Sequence, residues 1–355
     1  MKKDRRKRAP EDRRPLTYRE AGVDIGRTTD ALERVKPLIR STFTPHVASE
    51  VGSFGAMFSL SQWAHEDSLL VASCDSVGTK VMVATMMNRH NTVGRDLVAH
   101  CANDILVHGA RPLFFMDYIA AEKLPPDFFS AVVEGLAAGC KEAGCALIGG
   151  EMAELPGTYR EGEYDLVGFI LGTVPRTKAI RGDPIAPGDV LLGIMSNGLH
   201  TNGYSLARKV FFEIVGWPVD HPVPEFGTTI GEELLRVHRC YAPALLPLLE
   251  ETEINGMAHI TGGGLPDNVV RCLPEGCRAV IQRKSWEIPP VFTLIQELGQ
   301  VADAEMFHTF NMGIGMVLVV AETAADTVAS RLSQRGESVC RIGDIQPGER
   351  GVVIV

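Results

Sequence analysis

The chain has 355 residues, enough for two domains that each bury a core, and 45% hydrophobic residues, 22% charged residues and 36 glycines describe a loop-rich globular α/β protein. A formal net charge of -9 argues against wrapping nucleic acid, whose non-specific affinity comes from cations on phosphates. No apolar run reaches the roughly 18 residues that span a bilayer and no secretory signal opens the chain, so no membrane partner is expected and the cytoplasm is the expected compartment.

The first 14 residues hold eight Lys/Arg against three acids, a local balance of +5, and read as a disordered basic tail over residues 1–16. Two domains are expected after it, over residues 17–178 and 188–355. In the first, Ala31 to Ile39 is a helical candidate, and Val51 to Gly55 reads as a glycine-broken mobile loop. Leu69 to Cys74 is a strand that ends at Asp75-Ser76-Val77-Gly78-Thr79-Lys80, a turn running into a helix.

Val93, Leu97, Cys101 and Ile105 share one face of the next helix, with Asp96, His100 and Asn103 on another. A strand from Leu113 to Tyr118, a helix from Asp127 (its expected cap) to Gly144, and a strand from Cys145 to Ile148 form a strand-helix-strand repeat. Glu151 follows that last strand, so Asp75 and Glu151 are both expected at carboxyl ends of strands, where open α/β sheets bind ligands.

A strand from Asp165 to Val174 precedes the turn-rich stretch Arg181 to Asp189 at the domain boundary. The second half alternates again. Strand Val190 to Met195 leads into a polar loop and helix Leu206 to Val215, with further helices up to Glu251. Strand Gly315 to Ala321, helix Thr323 to Gln334 and two short strands close the chain. The eight cysteines match no zinc or disulfide spacing and read as reduced thiols.

Asp75, Asp104 and Glu151 are oxygen donors that can converge on Mg²⁺, although each alone is also an ordinary turn or helix-end acid. Gly78-Thr79-Lys80 sets backbone amides, a hydroxyl and an ammonium beside them, as a triphosphate requires, and neither a Walker A nor a dinucleotide glycine motif is present. The loop Ser196 to Ser205, with Asn197, Gly198, His200 and Asn202, and the run Thr261-Gly262-Gly263-Gly264 fit polar ligands as well as they fit long flexible connections.

In order along the chain, Tyr18 to Ile25, Asp75 to Lys80, Asn103-Asp104, Pro112 to Phe115, Gly149 to Gly157, Asn197 to Leu206, His259 to Gly264 and Thr309 to Met316 resemble the phosphoribosylformylglycinamidine cyclo-ligases, also called aminoimidazole ribonucleotide synthetases. The resemblance implies a mixed α/β homodimer of two-domain subunits. ATP and Mg²⁺ would lie largely in the N-terminal half, and formylglycinamidine ribonucleotide would be cyclised through an iminophosphate. It assigns Asp75, Asp104 and Glu151 to metal, and Gly52, Phe54, Gly55, Asp75, Gly78, Thr79, Lys80, Asn103 and Asp104 to the nucleotide. Asn197, Gly198, His200, Asn202, Ser205, Gly262, Gly263 and Gly264 go to substrate, with Lys36, Lys80 and His200 as catalytic candidates. The chain departs from the family pattern at Cys74, at Ser76 and in the loop Val51 to Gly55. Alternatives from the same superfamily are selenophosphate synthetases and small-molecule kinases, and a non-catalytic ATP-binding subunit is another.

Overall fold

The computed structural model describes residues 25–51, 56–61 and 67–355, so the basic tail and the expected contacts of Gly52, Phe54 and Gly55 lie outside the described residues. Helix α1 (Ile25–Arg40) is followed by strand β1 (Ser68–Ser76) and helices α2 (Lys80–Met86) and α3 (Asn91–Leu106). Strand β2 (Arg111–Ala121), helix α4 (Pro126–Ala143), and strands β3 (Ala146–Glu154) and β4 (Tyr164–Pro175) complete the N-terminal half. The four strands form one sheet in the order β1-β4-β2-β3. Only β2 and β3 run parallel, as the α4 crossover between them requires.

The apolar face anticipated for α3 packs inward, with Val93, Leu97 and Cys101 fully buried. α3 and α4 approach so closely that a Cβ on Gly94 would meet the Leu136 nitrogen at 2.4 Å, and only glycine allows this crossing. The start of α4 differs from expectation. Pro125 is the N-cap residue, and Asp127 in the first turn pairs with Arg34 at 2.9 Å instead of capping. Gly144 closes the helix in the left-handed conformation, φ 74°.

The C-terminal half contains β5 (Val190–Met195), α5 (Tyr204–Arg208) with a π-helical continuation, a two-residue ladder β6 (Pro222–Val223) and β7 (Thr228–Thr229), α6 (Ile230–Leu234) and α7 (Ala242–Glu251). It continues through β8 (Gly256–His259), α8 (Gly264–Val269), β9 (Cys277–Ile281), α9 (Pro290–Gly299) and α10 (Asp303–Thr309). The chain then forms β10 (Ile314–Val320), α11 (Ala325–Gln334), β11 (Val339–Pro347) and β12 (Gly351–Ile354). Six of these strands make a second sheet, β12-β9-β11-β5-β10-β8, in which every residue of β10 is buried. All eight cysteines are free thiols.

The polar stripe of α3 is the seam between the halves. Asp96 Oδ1 accepts from the His238 amide at 2.6 Å, Asn103 Oδ1 accepts from the Tyr241 amide at 3.0 Å, and Asn103 Nδ2 donates to the Arg239 carbonyl at 2.8 Å. These groups satisfy backbone that the second domain would otherwise bury unpaired.

Candidate active site

Asp75, near the end of β1, and Asp104, on α3, come together in the lining of a cavity of about 270 Å³. Asp75 Oδ2 lies 2.8 Å from His100 Nε2, and its Oδ1 accepts from the Ser76 amide at 2.7 Å. Asp104 Oδ1 accepts from His259 Nδ1 at 2.8 Å, and its Oδ2 accepts from the Ser73 hydroxyl at 2.9 Å. Burial works to raise both carboxyls, but the imidazoles outweigh it, His100 at Asp75 and His259 at Asp104, and both are held below the usual carboxylate range. Two ionised carboxylates with lone pairs to spare suit a hard cation such as Mg²⁺.

The lining of the same cavity carries Arg181 and Arg271, neither in an ion pair with an acid among the described residues, together with His108 and Thr261. Cations that share a small cavity with a carboxylate pair can grip an anion whose other oxygens share a metal with those carboxylates.

Several expected site residues are placed elsewhere. Lys80 is fully buried, and its three donors are committed to Asp96 Oδ1 at 2.8 Å, the His200 carbonyl at 3.1 Å and the Arg236 carbonyl at 2.6 Å. It ties the halves together and has no donor left for a phosphate. Asn103 is likewise fully buried and clamps the segment Arg239–Tyr241. Lys36 pairs with Glu33 on α1 and does not line the cavity.

Glu151 is separated from the carboxylate pair by sheet geometry. Its row across the sheet is Ser76, Val167, Tyr118 and Glu151, whereas Asp75 shares a row with Gly168, Asp117 and Gly150. Adjacent residues of a strand point to opposite faces, so Asp75 faces α3 while Glu151 faces away, and three strand spacings of about 4.8 Å put roughly 14 Å between them. Within one chain Glu151 does not complete the metal cluster.

The two expected ligand loops meet, because Thr79 Oγ1 and Ser205 Oγ are 3.0 Å apart, joining the turn after β1, where Gly78 has φ +55°, to the loop before α5. In that loop Asn197 Nδ2 holds the Val237 carbonyl at 2.6 Å, and the Gly198 carbonyl accepts from Asn311 Nδ2 at 2.9 Å. The Asn202 amide lies 3.5 Å from where a Cβ on Gly262 would sit, so the loop reaches the glycine run that leads into α8. Within that run, Gly263 and Gly264 have φ +91° and +58°.

His200 is 2% exposed at φ +61°, stacked on His238 with centroids 4.0 Å apart. Burial pushes its pKa well below the usual histidine value, so it is a neutral imidazole. His100, His238, Ser73, Arg181 and Arg271 were not expected at the site, and His259 entered only as part of a motif. The one signal for them was the polar stripe of α3, which marked His100.

The sequence matches two family descriptions end to end, the N-terminal domain of AIR synthase related proteins over residues 55–174 and the C-terminal domain over residues 186–355. It is 50% identical to a phosphoribosylformylglycinamidine cyclo-ligase from Trichlorobacter lovleyi, covering 93% of this chain and 95% of that one. A second from Syntrophotalea carbinolica is also 50% identical, over 97% of this chain and 99% of that one. Among solved structures, a thiamine-monophosphate kinase from Stenotrophomonas maltophilia shares the fold at TM-score 0.68 and 19% identity, covering 91% of this chain and 95% of that one. A hydrogenase maturation protein HypE in complex with ATP does so at 0.63 and 18%, covering 93% and 92%. With half of its residues identical to such relatives over nearly their whole length, the chain belongs to the phosphoribosylformylglycinamidine cyclo-ligase family.

Proposed function

We propose that this chain closes the imidazole ring of 5-aminoimidazole ribonucleotide in purine biosynthesis, from formylglycinamidine ribonucleotide and ATP, with ADP and phosphate as the other products. The observation that carries the reading is that the ionised pair Asp75 and Asp104 lines one cavity with Arg181 and Arg271. An amide oxygen is a poor leaving group; when bound, ATP would supply the γ-phosphoryl that turns it into phosphate through an iminophosphate, and Mg²⁺ would neutralise the transferring charge.

Asp75 and Asp104 would hold the metal, their second oxygens and lone pairs oriented by Ser76, Ser73 and the two imidazoles. Arg181 and Arg271, in the same cavity, would hold phosphate oxygens. The loop Asn197 to Ser205, with Gly262, Gly263 and Gly264, would position the substrate, whose own amidine nitrogen attacks the activated carbon. The neutral His200, buried behind that loop, serves positioning rather than proton relay.

The reading extends to a homodimer in the cytoplasm. No helix among the described residues is long and apolar enough to cross a membrane. The sheet face opposite α3 and α4 carries half-buried Phe114, Met116, Phe169 and Leu171 beside Leu70, which is 59% exposed, an apolar surface a second copy would cover.

Incubation with ATP, Mg²⁺ and formylglycinamidine ribonucleotide, followed by diazo coupling of the aminoimidazole, tests the function. Product is expected from the native chain, and Asp104→Asn should lose about 100-fold or more in turnover while remaining folded. ATP consumption without the ribonucleotide, or product at the native rate from the variant, would overturn the assignment.

A further inference from the structure

Behind Asp104 the polar groups continue into a buried cluster of three histidines, His200, His238 and His259, whose donor atoms lie within 4.8 Å of one another. Their protons can be placed from their partners. Asn103 is fixed by the Tyr241 amide on its oxygen and the Arg239 carbonyl on its nitrogen, so its remaining N–H points at His238 Nε2, 3.2 Å away, which must accept. The His238 proton is then on Nδ1, donated to Thr201 Oγ1 at 3.2 Å. His259 gives its Nδ1 proton to Asp104, which leaves its lone pair on Nε2.

The Nε2 atoms of His238 and His259 stand 3.1 Å apart. Both ring nitrogens of His200, stacked against His238, are buried with no hydrogen-bond partner.

We propose that His200, His238 and His259 form a binding site for a borderline divalent cation of the zinc class, separate from the oxygen site of Asp75 and Asp104. Imidazole nitrogens favour Zn²⁺, Co²⁺ or Ni²⁺ over Mg²⁺. At a metal–nitrogen distance of about 2.0–2.1 Å, two ligands of a tetrahedral ion are about 3.3 Å apart, close to the 3.1 Å separation of the facing nitrogens. Closing the set asks His200, stacked on His238 with the rings 20° from parallel, to turn out of that stack.

The partner groups are those of a built histidine site, with the Asp104 carboxylate behind His259 and the Thr201 hydroxyl behind His238. Burial holds His200 and His238 neutral, and an ion on His238 Nε2 would take the place of the Asn103 N–H. Three imidazoles leave a fourth position open. The way in is the cavity, which His259 and Asp104 both line. An ion here would fix the His200 loop to the segment after α6 and to the end of β8.

The test is Co²⁺ retention by the full-length chain after chelation and desalting in excess Mg²⁺, read by elemental analysis and visible ligand-field absorption. One Co²⁺ per chain is expected, with bands of a nitrogen-rich tetrahedral site, displaced by Zn²⁺. His200→Asn and His238→Gln should each weaken retention by about tenfold or more. His200→Asn decides the matter if the other variant does not fold, because the imidazole makes no hydrogen bond and asparagine accepts the positive φ. No Co²⁺ held against Mg²⁺, retention unchanged in His200→Asn, or retention lost only in His100→Gln, which belongs to the Asp75 and Asp104 group, would overturn the proposal.

Discussion

Replacing Lys80 with methionine separates a lysine that braces the fold from one that grips a phosphate. Lys80 and Asp96 are both fully buried, and removing one partner of such a pair strands the other charge at a cost of about 3–5 kcal/mol. The carbonyls of His200 and Arg236 lose their donor as well. For domains of this size a kilocalorie moves the melting midpoint by about 2–4 °C, so Lys80→Met should melt roughly 10 °C below the native chain by scanning calorimetry. The pair Lys80→Met with Asp96→Leu should recover much of that loss, because two apolar groups bury without stranding a charge. Recovery will be incomplete, since the His238 amide loses its acceptor. A single variant that melts within about 2 °C of the native chain, yet no longer turns over ATP, would refute the bracing role.

Asp117 lies in the sheet row between Gly168 and Gly150, and burial pushes its carboxyl up from the usual 3.8 to about 7. A raised carboxyl stabilises the fold fully below its unfolded value, and the gain is lost as pH rises through about 7, so Asp117→Asn should flatten the decline in urea midpoint between those limits. A Cβ at Gly264 would sit 1.8 Å from the Phe307 carbonyl oxygen, so Gly264→Ala should cost about 3 kcal/mol in urea unfolding and loosen the turn into α8. Leu70→Arg should convert a species of twice 38.5 kDa into one of 38.5 kDa by light scattering; an unchanged mass would remove the sheet face from the interface.

Much of the N-terminal half was legible because its strands are short apolar runs stopped by glycine turns, and because α3 shows four apolar residues at helical spacing. Asp75 and Asp104 were legible for the same reason, since each is tied to a strong local signal. The inward reach of Lys80 was not legible, because a Gly-Thr-Lys at a helix start looks alike whether the ammonium reaches out to an anion or inward to a buried acid. Only the second domain, which supplies two carbonyls to it, decides between them.

The separation of Glu151 from Asp75 was hidden for a different reason. Side chains alternate along a strand, so one residue of register changes the face, and that register is set by β2, where the row partner Tyr118 lies 33 residues earlier in the sequence. His238 and His259 come from the second half and meet His100 only through tertiary packing. Single histidines far apart in sequence carry no spacing signal that would pair them.

The seam along α3 also determines how the enzyme can open. Lys80, Asp96 and Asn103 each hold backbone of the second half from fully buried positions. Parting the halves would take several carbonyls and amides from their partners at once, while the Lys80–Asp96 pair stayed whole, so hinge opening at this seam is costly. Movement that admits nucleotide and releases product costs less in loops at the rim than at the seam.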